Sequence, residues 1–353
     1  MTTLLAIGTQ KGLFLATSDD DRRTWQVGPA QFSGTAIYTV GVDTNGSRLY
    51  AAVDNSHFGP SMAVSDDLGR SWDEVPIAFP TDAGASVERI WQIVPAGPDV
   101  IYAGSQPSAL FRSTDGGRSF ELVRGLWDHP HRPEWGAGFG GQAVHTILPH
   151  PTDPLSLLVA MSTGGVYRST DGGESWAPAN KGIKAYFMPD PWPEFGQCVH
   201  RVARDAADPD RLYAQNHHGV YRSADGGDSW QSIAGTLPSD FGFPMVAHPA
   251  RPGVIWNFPL IADSQRHPAD LRCRVFRSTD AGEKWEPLAA GLPDGPYYPV
   301  VLRDAMCADD GSPAGVYFGT RAGEVFATRD EGDTWTTVAT HLPDVLSVRA
   351  VSV

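Results

Sequence analysis

Seven copies of one short box, Ser/Thr-x-Asp-x-Gly-x-x-Trp/Phe, run along this chain of 353 residues, and no other feature restricts the fold as far. The clearest copy is Ser169-Thr170-Asp171-Gly172-Gly173-Glu174-Ser175-Trp176. The copies close at Trp25, Trp72, Phe120, Trp176, Trp230, Trp285 and Trp335, at intervals of 47, 48, 56, 54, 55 and 50 residues. A period of that size marks a repeat architecture.

Each box joins two apolar runs, as in Gly165-Val166-Tyr167-Arg168 ahead of Trp176, so it reads as a hairpin turn. The residue types fit: Asp accepts backbone N–H bonds within a turn, Gly tolerates positive φ, and Ser or Thr bonds locally. The closing aromatic folds back over the hairpin and buries roughly 150 to 250 Å². Seven repeated carboxylates therefore need no catalytic explanation. The first copy has Arg22 where the others have Gly, which predicts a distorted turn there.

On these boxes the chain resembles the Asp-box (BNR) repeat proteins, which include sialidases, xyloglucan hydrolases, sortilin-like receptor domains and photosystem assembly factors. The resemblance covers nearly the whole chain and implies an all-β, seven-bladed β-propeller of four-stranded antiparallel blades, with ligands bound on the face opposite the boxes. It is nearly silent on function, since enzymes, receptors and assembly factors all carry the box. The sialidase Arg-Ile-Pro signature has no counterpart here, the xyloglucan hydrolases place their cleft between two propellers, and sortilin-like receptors carry cysteine-rich modules that are missing from this sequence.

Within a repeat the inner strand comes first. In blade four it is Ala143 to Leu148, followed by a His-Pro turn, a second strand at Leu157–Met161, a third at Gly165–Ser169 and the box. Counted this way, the first blade lacks an inner strand and a surplus strand, Val345 to Val353, follows the last. The two ends are expected to complete one blade and close the ring, so residues 1–353 form one domain.

A formal net charge of −14 disfavours nucleic acid and anionic membranes as partners. No apolar run approaches the roughly 18 residues of a membrane span. Three unpaired-looking cysteines, Cys198, Cys273 and Cys307, and an N-terminus that reads as a strand point to the cytoplasm.

Three connections opposite the boxes are long: 121–142, 177–197 and 259–273. Long loops on a rigid scaffold are where sites reside. Trp91, Trp127, Trp135 and Trp192, with Phe139, Tyr186 and Phe187, either line a cleft for sugar rings or anchor these loops.

His145 and His200 share one inner-strand position in neighbouring blades and should meet near the channel. His129, His131, His217 and His218 come from loops on the same face. Such convergence suits acid/base catalysis by His145 and His200, or a divalent metal held by His145, His200 and His217, or simple packing between blades. Thr39, Gln92, Thr146, Arg201 and Arg349 alternate to the other side of the inner strands and should line a polar channel. Arg89 and Arg201 either grip an anionic ligand or pair with acidic neighbours. Among the loop carboxylates Glu88, Asp128, Glu134, Asp190, Glu194 and Asp263, the pair Glu134 and Glu194 suits a glycosidase that needs two flanking carboxylates. The chain is thus expected to be a carbohydrate- or small-molecule-binding propeller of hydrolase or lyase type, with a non-catalytic scaffold for a protein partner as the alternative.

Overall fold

The computed structural model describes residues 2–19, 21–43, 45–138 and 140–353. Seven four-stranded antiparallel sheets stand around a central channel as the blades of a propeller. Blades two to seven begin at their inner strands, Ala36–Val42, Arg89–Pro95, Val144–Pro149, Val199–Arg204, Phe241–Ala247 and Met306–Ala308. Blade one is assembled from both ends of the chain, with Val345–Ser352 as its inner strand paired antiparallel to Thr3–Thr9. The expected closure is therefore present.

The middle strands of each blade are buried on both faces because sheets pack against them from either side. Leu157–Met161 is buried throughout, as are Tyr167 on the next strand and Tyr213 in the next blade. Outer strands such as Gln26–Val27 and Gln231–Ser232 are only two residues long and exposed, which leaves little edge for unwanted pairing.

The boxes are built as their residue types require. Ser169 Oγ donates to Asp171 Oδ1 at 2.8 Å and accepts from Gly173 N–H at 2.8 Å, while Asp171 Oδ1 accepts from Ser175 N–H at 3.0 Å. The Ser175 hydroxyl first, then the Ser175 N–H and the Ser169 hydroxyl, hold the Asp171 carboxyl down at about 2, as Ser71 and Ser65 do for Asp67. The indoles then tie blades together: Trp230 Nε1 donates to Ala179 O at 2.9 Å and Trp285 Nε1 to Ile233 O at 2.8 Å, each reaching into the preceding blade. Losing such a buried ring costs roughly 3–5 kcal/mol.

In blade one Arg22 takes the place of the fifth-position glycine and keeps its left-handed backbone, φ 65° against 97° at Gly173. The turn retains its handedness, contrary to the distortion expected. The box carboxylate of this copy, Asp20, lies outside the described residues.

Candidate functional site

The inner strands do not pair evenly with their neighbours. Register breaks occur at Ile37/Val40, Ile90/Gln92, Val144/Thr146, Val199/Arg201 and Gly242/Met245, and opposite Gly8/Thr9 in blade one. Each break is a β-bulge, which leaves a residue unpaired and re-aims its side chain. The bulged residues are Tyr38, Trp91, His145, His200, Phe243 and Leu346. In blade seven the equivalent residue is Arg303, since its neighbour Asp304 bridges to Ser347, the residue after Leu346. One repeated local irregularity thus sends a ring of side chains toward the mouth of the channel.

Six of the seven, all but His145, line a cavity of about 460 Å³ on the face opposite the boxes. The loops between second and third strands complete its wall with Thr163, His217, Asp263 and Arg266, and the connection before blade five adds Phe187. Trp91 is held by a bond from its Nε1 to Gln106 Oε1 at 3.1 Å and packs on Tyr38 with ring centroids 5.4 Å apart.

The cavity ends on Asp304. This buried carboxylate accepts from Thr39 Oγ1 at 2.6 Å, pairs with Arg201 at 3.0 Å and is bonded by Arg349. Burial alone would raise the Asp304 carboxyl, but Arg349 and Arg201 outweigh it and leave it below the ordinary range. Arg201 is therefore a partner of Asp304 and not a ligand grip. Gln92, Arg201 and Arg349 line the second opening, below this layer, as the expected channel polarity requires.

Arg303 is different. Its Nη1 is buried and has no hydrogen-bond partner among the described residues, and its guanidinium lies 5.2 Å from the Trp91 ring centroid. Burial pulls its pKa down to about 10, so it still carries its charge at neutral pH.

In the same cavity, Cys198 Sγ is 3.6 Å from His200 Nε2, and the ligand atoms of Cys198, His200 and His217 all lie within 4.8 Å of one another. His200 Nδ1 is 2.5 Å from Gly242 O, and because a carbonyl only accepts, that nitrogen carries the proton and Nε2 presents its lone pair to Cys198. His217 Nε2 faces Asp263 Oδ2 at 3.5 Å. Burial and the Arg303 charge hold His200 well below the usual histidine range.

Of the residues the sequence proposed, the structure gathers Trp91, Phe187, His200, His217 and Asp263 at this cavity. His145 sits behind it, fully buried, with Nδ1 3.2 Å from Thr146 Oγ1; it is not in the compact group, and Cys198 stands where the expected triad placed it. Glu134 and Glu194 are both exposed and neither lines the cavity, so they do not form a catalytic pair across it. Arg89 is paired with Asp54 at 3.0 Å and stacked over Tyr38.

The connection before blade four folds on itself. Trp127 packs on Phe79, His129 Nε2 donates to Trp176 O at 3.1 Å, His131 stacks on Phe195, and Trp135 Nε1 donates to Tyr167 Oη at 2.9 Å. These four residues are a loop core, not a binding surface. His218 packs against Tyr186 and Phe187 but does not line the cavity, and Trp192 is 52% exposed and does not line it either. Phe139 lies outside the described residues.

The boxes, their geometry and the ring of blades make this chain an Asp-box repeat β-propeller. The BNR/Asp-box repeat family matches residues 167–178. In sequence the chain is similar to a xyloglucanase of Paenibacillus sp, 29% identical over 179 residues, covering 45% of this chain and 16% of that protein. It is also similar to the xyloglucanase Xgh74A of Acetivibrio thermocellus, 25% identical over 299 residues, covering 73% and 34%. The chain thus spans a minor part of the length of either relative. Among solved structures, the GH74 enzyme of Niastella koreensis shares the fold with a TM-score of 0.64 at 15% identity, over 94% of this chain and 51% of that one. YCF48 bound to D1 peptide matches with a TM-score of 0.51 at 14% identity, over 88% and 83%.

Proposed function

We propose that this propeller is carbohydrate-active and takes a small acidic sugar, or an acid of similar shape, end-on into the mouth of its channel. The observation that carries this reading is Arg303: a charged guanidinium with a free Nη1, inside an aromatic-walled cavity of about 460 Å³. Small-molecule sites generally occupy about 300 to 1,000 Å³. A buried unpaired charge is costly, and a carboxylate delivered by a ligand would offset that cost through charge-assisted hydrogen bonds. Trp91, Tyr38 and Phe243 supply flat apolar faces of the kind sugar rings pack against. The likeness to xyloglucanases supports a carbohydrate ligand. The cavity is blind at Asp304, so it suits the end of a ligand better than the middle of a polymer.

The test is calorimetric titration with neutral and acidic mono- and disaccharides, on the wild type and on Arg303→Gln. Acidic sugars should bind and neutral ones weakly or not at all, and Arg303→Gln should weaken the acid by about 10- to 100-fold, the worth of a charged hydrogen bond. Equal binding of acidic sugars by both proteins, or none by either, would overturn the reading.

A second reading rests on the exposed aromatics Tyr186, Phe187, Trp192 and Tyr298, 47–60% exposed, of which Phe187 lines the cavity. Exposed aromatics of this size suit a protein partner. If that partner is what matters, Trp192→Ala and Tyr298→Ala would abolish its capture and leave the binding of a small acid unchanged.

A further inference from the structure

We propose that Cys198, His200 and His217 form a three-ligand site for a divalent transition metal of the zinc class, with its remaining position open to the cavity. Zinc bonds of about 2.3 Å to sulfur and 2.0–2.1 Å to nitrogen, at tetrahedral angles, put the two donor atoms about 3.6 Å apart. Cys198 Sγ and His200 Nε2 are 3.6 Å apart. The third donor, on the His217 ring, lies within 4.8 Å of both, a span that a rotation of the ring would have to close.

The backbone fixes this juxtaposition. Cys198 and His200 are two apart at the start of an inner strand, and His217 N–H donates to Cys198 O at 2.9 Å, so the loop residue is tied to the strand residue it must meet. The outer contacts also fit a metal ligand. His200 donates its other ring N–H to Gly242 O, the arrangement that fixes the tautomer and ring plane of a metal-binding histidine. Asp263 faces His217 at 3.5 Å.

Donor type selects the metal. One thiolate with two imidazoles suits zinc or cobalt and disfavours magnesium or calcium, which take oxygen ligands. The Arg303 guanidinium nearby would repel a bare cation, but the Cys198 thiol, its pKa raised by burial, would release its proton to solvent on binding the metal, and that thiolate with the Asp263 carboxylate supplies two negative charges against it. Three protein ligands with an open fourth position is the pattern of a reactive zinc centre, whereas structural sites are closed. Here all three ligands line the cavity, as Arg303 does. The assignment does not depend on which ligand the cavity takes.

The experiment uses the full chain, untagged and reduced, stripped with a chelator and titrated with Co²⁺. The expected result is one Co²⁺ per chain with a sulfur-to-cobalt charge-transfer band in the near ultraviolet, displaced by Zn²⁺. Cys307→Ser, which removes a buried thiol elsewhere, should keep the band, and Cys198→Ser should lose it. Asp263→Asn should weaken Co²⁺ by about tenfold or more. No band in the wild type, or a band of equal strength in a folded Cys198→Ser, would overturn the proposal. Should Cys198→Ser fail to fold, His217→Gln decides: weaker Co²⁺ binding supports the site and unchanged affinity refutes it.

Discussion

Arg22 Nη1 lies 3.0 Å from Asp309 Oδ2, joining the first box of the chain to blade seven across the seam of the ring. Both side chains are buried, at 8% and 2% exposure, and the same guanidinium donates to Pro313 O. This contact explains why an arginine persists at a position whose φ of 65° favours glycine. Backbone strain of about 1–2 kcal/mol is offset by a pair whose one-sided loss costs about 3–5 kcal/mol. Asp309 retains Tyr317 Oη at 2.5 Å and Gly315 N–H at 2.7 Å, which places the cost at the low end. Chemical unfolding of Arg22→Ala should therefore show a loss of about 3 kcal/mol, and Arg22→Gly should lose about 1 kcal/mol less because it relieves the strain. Arg22→Gly as stable as wild type would show that the pair contributes no more than the roughly 1 kcal/mol of strain that glycine relieves.

Acid should destabilise the protein in two stages. Burial, then the Arg303 charge, hold His145 well below its ordinary value. A histidine depressed in the folded state contributes stability that is complete above its unfolded pKa of about 6.5 and is lost as pH falls below it. The box carboxylates Asp67 and Asp171, at about 2, contribute stability present above about 3.9 and lost only below that. In the metal-free protein the upper stage should have a slope of up to about 1.4 kcal/mol per pH unit from His145, and His145→Asn should reduce it by that amount. Unfolding midpoints measured from about pH 7 to about pH 5 would check this, and an unchanged slope in the variant would contradict the assignment.

The two kinds of element differed in how far they could be read from sequence. The boxes are local: Ser169, Asp171, Gly173 and Trp176 bond within their own turn or to the adjacent blade, so spacing alone reveals them. The site depends on a register break that leaves no mark of its own. His145 and His200 were legible as one repeated position, yet a bulge hides one behind the cavity and exposes the other to it. Arg303 holds the same position in blade seven, but its strand begins only at Met306, so no periodic pattern points to it. Cys198-x-His200, a thiol and an imidazole two residues apart where an inner strand begins, was the available signal. The aromatics of the connection before blade four could equally have faced solvent or one another, and only packing shows that Trp127 and Trp135 turn inward.

Asp304 should prove to be the residue on which the channel layer depends. It offsets Arg201 and Arg349 together, so Asp304→Asn leaves two half-buried guanidinium groups without their counter-charge. The expected loss is about 3–5 kcal/mol. Adding Arg349→Gln should restore part of it, because one of the stranded charges is then gone, and the two changes should be non-additive in a double-mutant cycle. Strict additivity in urea unfolding would show that the pair at the channel axis is not coupled.

Removing residues 345–353 tests the closure of the ring. The strand Val345–Ser352 pairs along the whole of Thr3–Thr9, every residue of which is buried. Without it that strand becomes a long, apolar, unpaired edge, a template for association between chains. The deletion also takes away Leu346 from the cavity wall and Arg349 from Asp304, so the site and the seam fail together. The truncated chain should accumulate as aggregate, while a chain carrying only Leu346→Ala should stay soluble and lose about 2–5 kcal/mol at most. Supplying residues 343–353 as a synthetic peptide during refolding should recover soluble monomer, because the missing strand needs only to add to an existing edge. A truncated chain that is monomeric, with an unaltered unfolding midpoint, would mean that the pairing of the two ends does not hold the ring closed.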